Sequence, residues 1–193
     1  MRPAVFLDKD GTLVEDVPYN VDPARITLRP GAMEAMRLLT DMGYALVVVS
    51  NQPGVALGYF EANALRGVED WFRRTLYGQG ADIAAFQWCP HHPAGTVEPY
   101  ATACRCRKPM PGMLQSAAAR SEIDLFRSWM VGDILDDVEA GHRAGCRSIL
   151  VDVGNETEWV RGPMRVPDFT VPDLISAAAV IQAASKLRVE EAV

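Results

Sequence analysis

Short apolar runs alternate along the chain with stretches whose apolar residues return every three or four positions. The runs are Val5-Phe6-Leu7, Ala45 to Val49, Phe86 to Trp88, Trp129 to Val131 and Ile149 to Val151. They are too short for helices and rich in the residues that pack on a pleated surface, so each predicts a strand. Between them the helical period predicts helices over about 31–42, 61–77, 111–120 and 135–144. An Ala-rich helix is expected over about 173–187, before a charged tail that should fray. Strands without polar alternation, separated by helices, predict a parallel sheet covered on both faces, an α/β three-layer Rossmann-like fold. No linker-like composition interrupts the 193 residues, and the expectation is a single domain over 1–193.

One segment breaks the rhythm. From Cys89 to Pro111 there are prolines at 90, 93, 99, 109 and 111 and no helical or strand period, which predicts a long loop. Loops of this length are usually functional or pinned.

Composition narrows the partners. With 49% hydrophobic and 23% charged residues, neither global disorder nor a fibrous repeat fits. A formal charge of −6 opposes non-specific binding to nucleic acid or anionic membrane, so an anionic substrate must be captured locally. The longest aliphatic stretch, Ala45 to Val49, is far too short to span a bilayer, and a cytoplasmic, monomeric chain is expected.

The chemistry gathers at strand ends. Asp8-Lys9-Asp10-Gly11-Thr12 follows the first strand, Ser50-Asn51 the second and Gly132-Asp133 the fourth. In open parallel sheets ligands bind outside the carboxyl ends of the strands, which directs all these residues to one crevice. An Asp-Gly pair can be a mere turn, but turn chemistry does not require several acids to meet. Carboxylates crowded together repel unless a cation is present, and a hard divalent ion such as Mg²⁺ would also draw in a phosphate. Beside a carboxylate, that phosphate is open to nucleophilic attack.

These residues resemble the four motifs of the haloacid dehalogenase superfamily: Asp8 to Thr12 the first, Ser50 the second, Lys108 the third, and Gly132-Asp133 with Asp136-Asp137 the fourth. The resemblance runs from about Val5 to Val151. It implies that Asp8 is the nucleophile, forming an aspartyl-phosphate, and that Asp10 is the general acid and base. It implies Mg²⁺ held by the side chains of Asp8 and Asp133 and the Asp10 carbonyl, with Ser50 and Lys108 stabilising the phosphoryl oxygens. Asp136 and Asp137 both sit where acids favour a helix start. Asp137 better fits the superfamily spacing, as a residue behind the direct ligands.

Cys89-Pro90-His91 and Cys104-Arg105-Cys106 form two ligand pairs around the stretch His92 to Ala103. Three thiolates and one imidazole can close a tetrahedral structural Zn²⁺ site, and a metal fixing Cys106 would fix the backbone that presents Lys108. His92 is left out as a loop contact, His142 is given a capping or surface role, and Cys146 is assigned to the core. The pattern Cys-x-His, long excursion, Cys-x-Cys-Arg-Lys-Pro narrows the resemblance to the histidinol-phosphatase-like branch. Within that branch the long excursion is similar to enzymes acting on a heptose 1,7-bisphosphate at position 7, with histidinol phosphate as the alternative substrate. That resemblance implies substrate contacts from Asp16, Tyr19, Asn51 and Gln52, and recognition of the non-reacting phosphate by Arg107. Ile134 departs from the branch, which often has a basic residue there. With no large inserted cap, a small hairpin around residues 12–20 and the cysteine loop would close the site over a small phosphorylated sugar. The reading outside this class is a non-catalytic zinc-containing binding module, which would have no use for both Asp8 and Asp10. A kinase is disfavoured because no Gly-x-x-x-x-Gly-Lys loop is present.

Overall fold

The computed structural model describes residues 1–190, with side chains through residue 187. Six strands, β1 (Ala4–Leu7), β2 (Ala45–Asn51), β3 (Ile83–Cys89), β4 (Trp129–Gly132), β5 (Arg147–Val151) and β6 (Phe169–Val171), form one parallel sheet. Its order is β3-β2-β1-β4-β5-β6. The five α-helices among the described residues are α1 (Ala32–Asp41), α2 (Leu65–Leu76), α3 (Gly112–Ser121), α4 (Leu135–Ala144) and α5 (Leu174–Glu190).

Strand residues divide by parity between two cores, as the pleat requires. Val5, Leu7, Leu46, Val48, Trp129, Val131, Ile149 and Val151 face α1, α2 and α5. Ala4, Phe6, Ala45, Val47, Val49 and Met130 face α3 and the middle of α4. Both faces of the central strands are therefore buried, which is why their sequences are continuously apolar.

The predicted architecture stands, with corrections at the edges. β2 continues two residues past Val49, and β3 starts at Ile83 and reaches Cys89, so this first cysteine ends a strand rather than opening a loop. β3 is an edge strand with partly exposed residues, so its apolar signal is dilute. β6 was not expected; three residues between Pro167 and Pro172 carry no period, and an edge position tolerates the flanking prolines. No hairpin forms over 12–20. The segment begins in turns, its Val14 makes isolated bridges to Asp10 and Leu28, flanked by backbone bonds between Glu15 and Thr27 and between Arg29 and Leu13, and Asp16, Pro18 and Tyr19 face solvent and offer no paired strand. The last helix runs to Glu190, past the Leu187 boundary, and residues 191–193 of the expected frayed tail lie outside the described residues. Cys146 is buried, as expected. His142 contacts the Met164 carbonyl and Asp168, tying α4 to the loop before β6. No helix of the described residues is long and apolar enough to cross a membrane.

Candidate active site

β1 and β4 are neighbours, and their pairing continues one residue further: the Asp8 amide donates to the Val131 carbonyl at 3.0 Å. This sets Asp8 beside Asp133, which follows the last residue of β4. Asp8, Asp133 and Asp137 are all buried and offer carboxylate oxygens within 4.8 Å of one another, close enough to hold one metal ion. Two glycines make room. A Cβ on Gly132 would stand 2.2 Å from the Asp137 carboxyl carbon, and one on Gly11, whose φ is +82°, would stand 2.1 Å from Asp133 Oδ2.

Lys108 enters the same cluster from the cysteine loop. Its Nζ donates to Asp8 Oδ1 at 2.5 Å and to the Val49 carbonyl at 3.1 Å. It also lies 2.6 Å from Asp137 Oδ1, an ion pair not aligned as a hydrogen bond. Burial works against the ammonium, but Asp137 and Asp8 outweigh it and hold its pKa above the ordinary lysine value. Burial pushes Asp133 up to about 8, helped by the charges of Asp8 and Asp137. Burial also pushes Asp137 up to about 7 against the pull of Lys108. One ammonium does not balance this many buried carboxylates, and a divalent cation fits the deficit.

Asp10 sits at the mouth. Burial raises its carboxyl against the opposing pull of Lys9. Lys9 Nζ bonds Asp10 Oδ1, and Gln52 Nε2 donates to Oδ2 at 3.1 Å. The same Gln52 nitrogen reaches Ser50 Oγ at 2.9 Å, so Ser50 and Gln52 are both buried beside Asp10. Asn51 forms a two-way clamp on Lys108: its Oδ1 accepts from the Lys108 amide at 3.0 Å and its Nδ2 donates to the Lys108 carbonyl at 3.1 Å. Asn51 and Gln52 thus have protein partners that the sequence did not reveal. Asp16 and Tyr19 lie on the exposed rim, where Tyr19 packs edge-on against Tyr59 with ring centroids 4.6 Å apart. Arg107 is half-buried, with Nη1 buried and without a hydrogen-bond partner.

Asp136 and Asp137 part company. Asp137 faces inward and its Oδ2 accepts from the Ile134 amide at 3.3 Å, whereas Asp136 pairs with Arg165 at 2.8 Å. Asn155 is not singled out in the sequence, and Thr12 enters there only as part of the first motif, with no partner. The Thr12 hydroxyl donates to Asp133 Oδ1 at 3.0 Å and the Asn155 amide to Oδ2 at 2.7 Å.

Cys89, His91, Cys104 and Cys106 meet. Their sulfur–sulfur distances are 3.3, 3.3 and 3.5 Å, and His91 Nδ1 lies 3.3 Å from Cys106 Sγ and 3.7 Å from Cys89 Sγ. These are edges of a tetrahedron around a metal with bonds of about 2.0–2.3 Å, and too long for disulfides. The thiols compete for charge: contact with Cys89 lowers Cys106 to about 5, while Cys89 is pushed up. The Arg107 amide donates to Cys104 Sγ at 3.3 Å, joining this cluster to the residue before Lys108.

Known proteins are similar to this chain in sequence and in fold. Residues 105–177 match a family model described as HAD-hydrolase-like. D-glycero-beta-D-manno-heptose-1,7-bisphosphate 7-phosphatase of Salmonella typhi is 40% identical over 167 residues, covering 82% of this chain and 89% of that one. The protein of that name from Photorhabdus laumondii subsp. laumondii is 44% identical over 138 residues, 72% of this chain and 73% of its own. Among solved structures, D,D-heptose 1.7-bisphosphate phosphatase from B. bronchiseptica, complexed with magnesium and phosphate, matches with a TM-score of 0.75 and 30% identity, covering 95% of this chain and 99% of that one. These relatives span most of the sequence and share its fold, and the chain belongs to the haloacid-dehalogenase-like family of phosphatases.

Proposed function

We propose that the protein hydrolyses the 7-phosphate of D-glycero-D-manno-heptose 1,7-bisphosphate, in the making of nucleotide-activated heptose. The observation that carries this reading is the buried set Asp8, Asp133, Asp137 and Lys108 in a chain 40% identical to enzymes of that name. In the first step an Asp8 carboxylate oxygen attacks phosphorus. The bond from phosphorus to the sugar oxygen breaks, and that oxygen takes its proton from Asp10. In the second step Asp10 takes a proton from water, the water oxygen attacks the same phosphorus, and Asp8 leaves as a carboxylate with release of phosphate. Lys108 and the Ser50 hydroxyl balance charge on the phosphoryl oxygens, while Asn51 holds the Lys108 peptide in place.

Asp8 and Asp133, with the Asp10 carbonyl, would hold Mg²⁺, and Asp137 would fix Lys108 from behind. When bound, the ion supplies neutralisation of the phosphate charge that the buried carboxylates would otherwise repel. Cys89, His91, Cys104 and Cys106 would hold a structural Zn²⁺. Arg107, Asp16 and Tyr19 would meet the rest of the substrate, with the Arg107 guanidinium reading the second phosphate.

The test is phosphate release with Mg²⁺ from heptose 1,7-bisphosphate and histidinol phosphate side by side. The bisphosphate should have the higher kcat/KM by at least tenfold, roughly the 1.4 kcal/mol expected of one lost charged contact. Preference for histidinol phosphate would overturn the heptose assignment and leave the phosphatase chemistry intact.

A further inference from the structure

Neither carboxylate oxygen of Asp133 is free of the protein. Oδ1 accepts from Thr12, in the turn that also carries Asp10, and Oδ2 accepts from Asn155 at 2.7 Å. Asn155 comes from elsewhere, the loop after β5, to which the proposed chemistry gives no role. That loop is held in register with the site. The Asp152 amide donates to the Val171 carbonyl at 2.8 Å, and Glu156 Oε2 accepts from the Leu135 amide at 2.7 Å. The second contact matters because Leu135 is the first residue of α4, where an amide has no acceptor within the helix. Glu156 Oε1 takes the Glu158 and Trp159 amides at 2.9 and 3.2 Å, so the carboxylate knots its own loop while capping the helix that carries Asp137. Gly11 completes the fit: a Cβ there would lie 2.4 Å from Asn155 Nδ2 as well as against Asp133.

We infer that Asn155 is a positioning residue for Asp133, setting the rotation of the carboxylate that the preceding reading gives to Mg²⁺. The inference rests on that reading. A carboxylate ligand works best when its outer hydrogen bonds fix its plane, and a neutral amide does this without competing for the charge, as a lysine or arginine would. Asn155 is exposed on its outer side, so replacing it leaves the core intact.

The experiment is calorimetric titration of Mg²⁺ into the purified full chain, for wild type, Asn155→Ala and Asn155→Leu. Melting in Mg²⁺-free buffer first shows that each is folded, and the substrate KM is measured at saturating Mg²⁺. Both variants should bind Mg²⁺ about tenfold to a hundredfold more weakly, with KM changed by less than about twofold. Leucine matches asparagine in size but cannot donate, so wild-type Mg²⁺ affinity in the leucine variant would show a space-filling role and overturn the inference. Unchanged affinity in the alanine variant would overturn it equally. Wild-type protein that takes up no Mg²⁺ would overturn the metal reading and this inference together, an outcome distinct from either of the others.

Discussion

At the residue scale, the site is a problem of charge in a small dry volume. Asp8, Lys108, Asp133 and Asp137 are each less than a tenth exposed, so every charge must be met by a neighbour rather than by water. Lys108 touches Asp8 and Asp137 at once, which leaves the Asp8 carboxylate oriented and the lysine unable to lose its proton near neutral pH. Asp8→Asn keeps the shape and leaves Lys108 paired with Asp137, so the variant should fold. Phosphate release should drop by about a thousandfold or more, the scale of losing a nucleophile. Circular dichroism checks the fold; near-wild-type turnover would remove Asp8 from the nucleophile role. Asp8, Asp10 and Asp133 could be read in the sequence because each directly follows an apolar run or its turn. The contacts of Thr12 and Asn155 could not, since their shared partner lies 121 and 22 residues away, and Asn155 falls on no motif or periodic pattern.

At the element scale, the cysteine loop that carries Lys108 is tied down at two places. The four-ligand cluster holds Cys104 and Cys106, and Asn51 holds the Lys108 peptide from the end of β2. The purified protein should carry about one zinc per chain. Stripping it with a chelator should lower Tm and cut turnover about tenfold or more, because the Lys108 backbone then has only the Asn51 clamp. Elemental analysis with kinetics before and after zinc restoration checks this, and unchanged kinetics in verified zinc-free protein would contradict it. A second elemental tie joins β5, α4 and the loop before β6 through Asp168, which accepts from the Ser148 amide at 2.7 Å and from His142 at 3.0 Å. Burial works to raise this carboxyl, but His142 and the Ser148 amide outweigh it and hold it below its ordinary range. A carboxyl depressed in the folded state gives its stability above the unfolded value of about 3.9 and loses it as pH falls through the lower folded value. Asp168→Asn should therefore cost about 1 kcal/mol at pH 7, the worth of such partly exposed contacts, and the gap to wild type should close below pH 4. Denaturant melts at the two pH values measure it. The loop's prolines and cysteines made its irregularity legible, whereas the Asn51 clamp was not, because an asparagine after a strand reads equally well as a ligand contact.

At the scale of the whole molecule, the central strands β1, β2 and β4 were legible because both their faces are buried, and their sequences admit no polar alternation. The outermost strands were less so: of β3, which is partly exposed, only the stretch Phe86 to Trp88 was legible, and β6, three residues long, left no pattern. The turns over 12–20 likewise gave a false hairpin signal, since Gly and Pro mark a reversal without saying whether strands flank it. The folded sheet stores the cost of bringing its acids together, and ligands that bind only the folded chain should repay it. Mg²⁺ with inorganic phosphate should raise Tm, and at a ligand concentration one hundred times Kd the gain is about 2.7 kcal/mol. A thermal melt across ligand concentration checks this, and a flat Tm would argue against a phosphate site.

The strand order has a consequence for change. Asp8 and Asp133 follow adjacent middle strands, while the outer parts of the connecting segments, over 15–22, 53–60 and 92–103, leave the sheet at separate places and carry none of the clustered side chains. Each rim segment can be lengthened, shortened or grafted without moving the register between β1 and β4. Substrate preference and bond-breaking machinery are thus separately editable, and a library confined to those three segments is the economical way to turn this scaffold toward other phosphate esters.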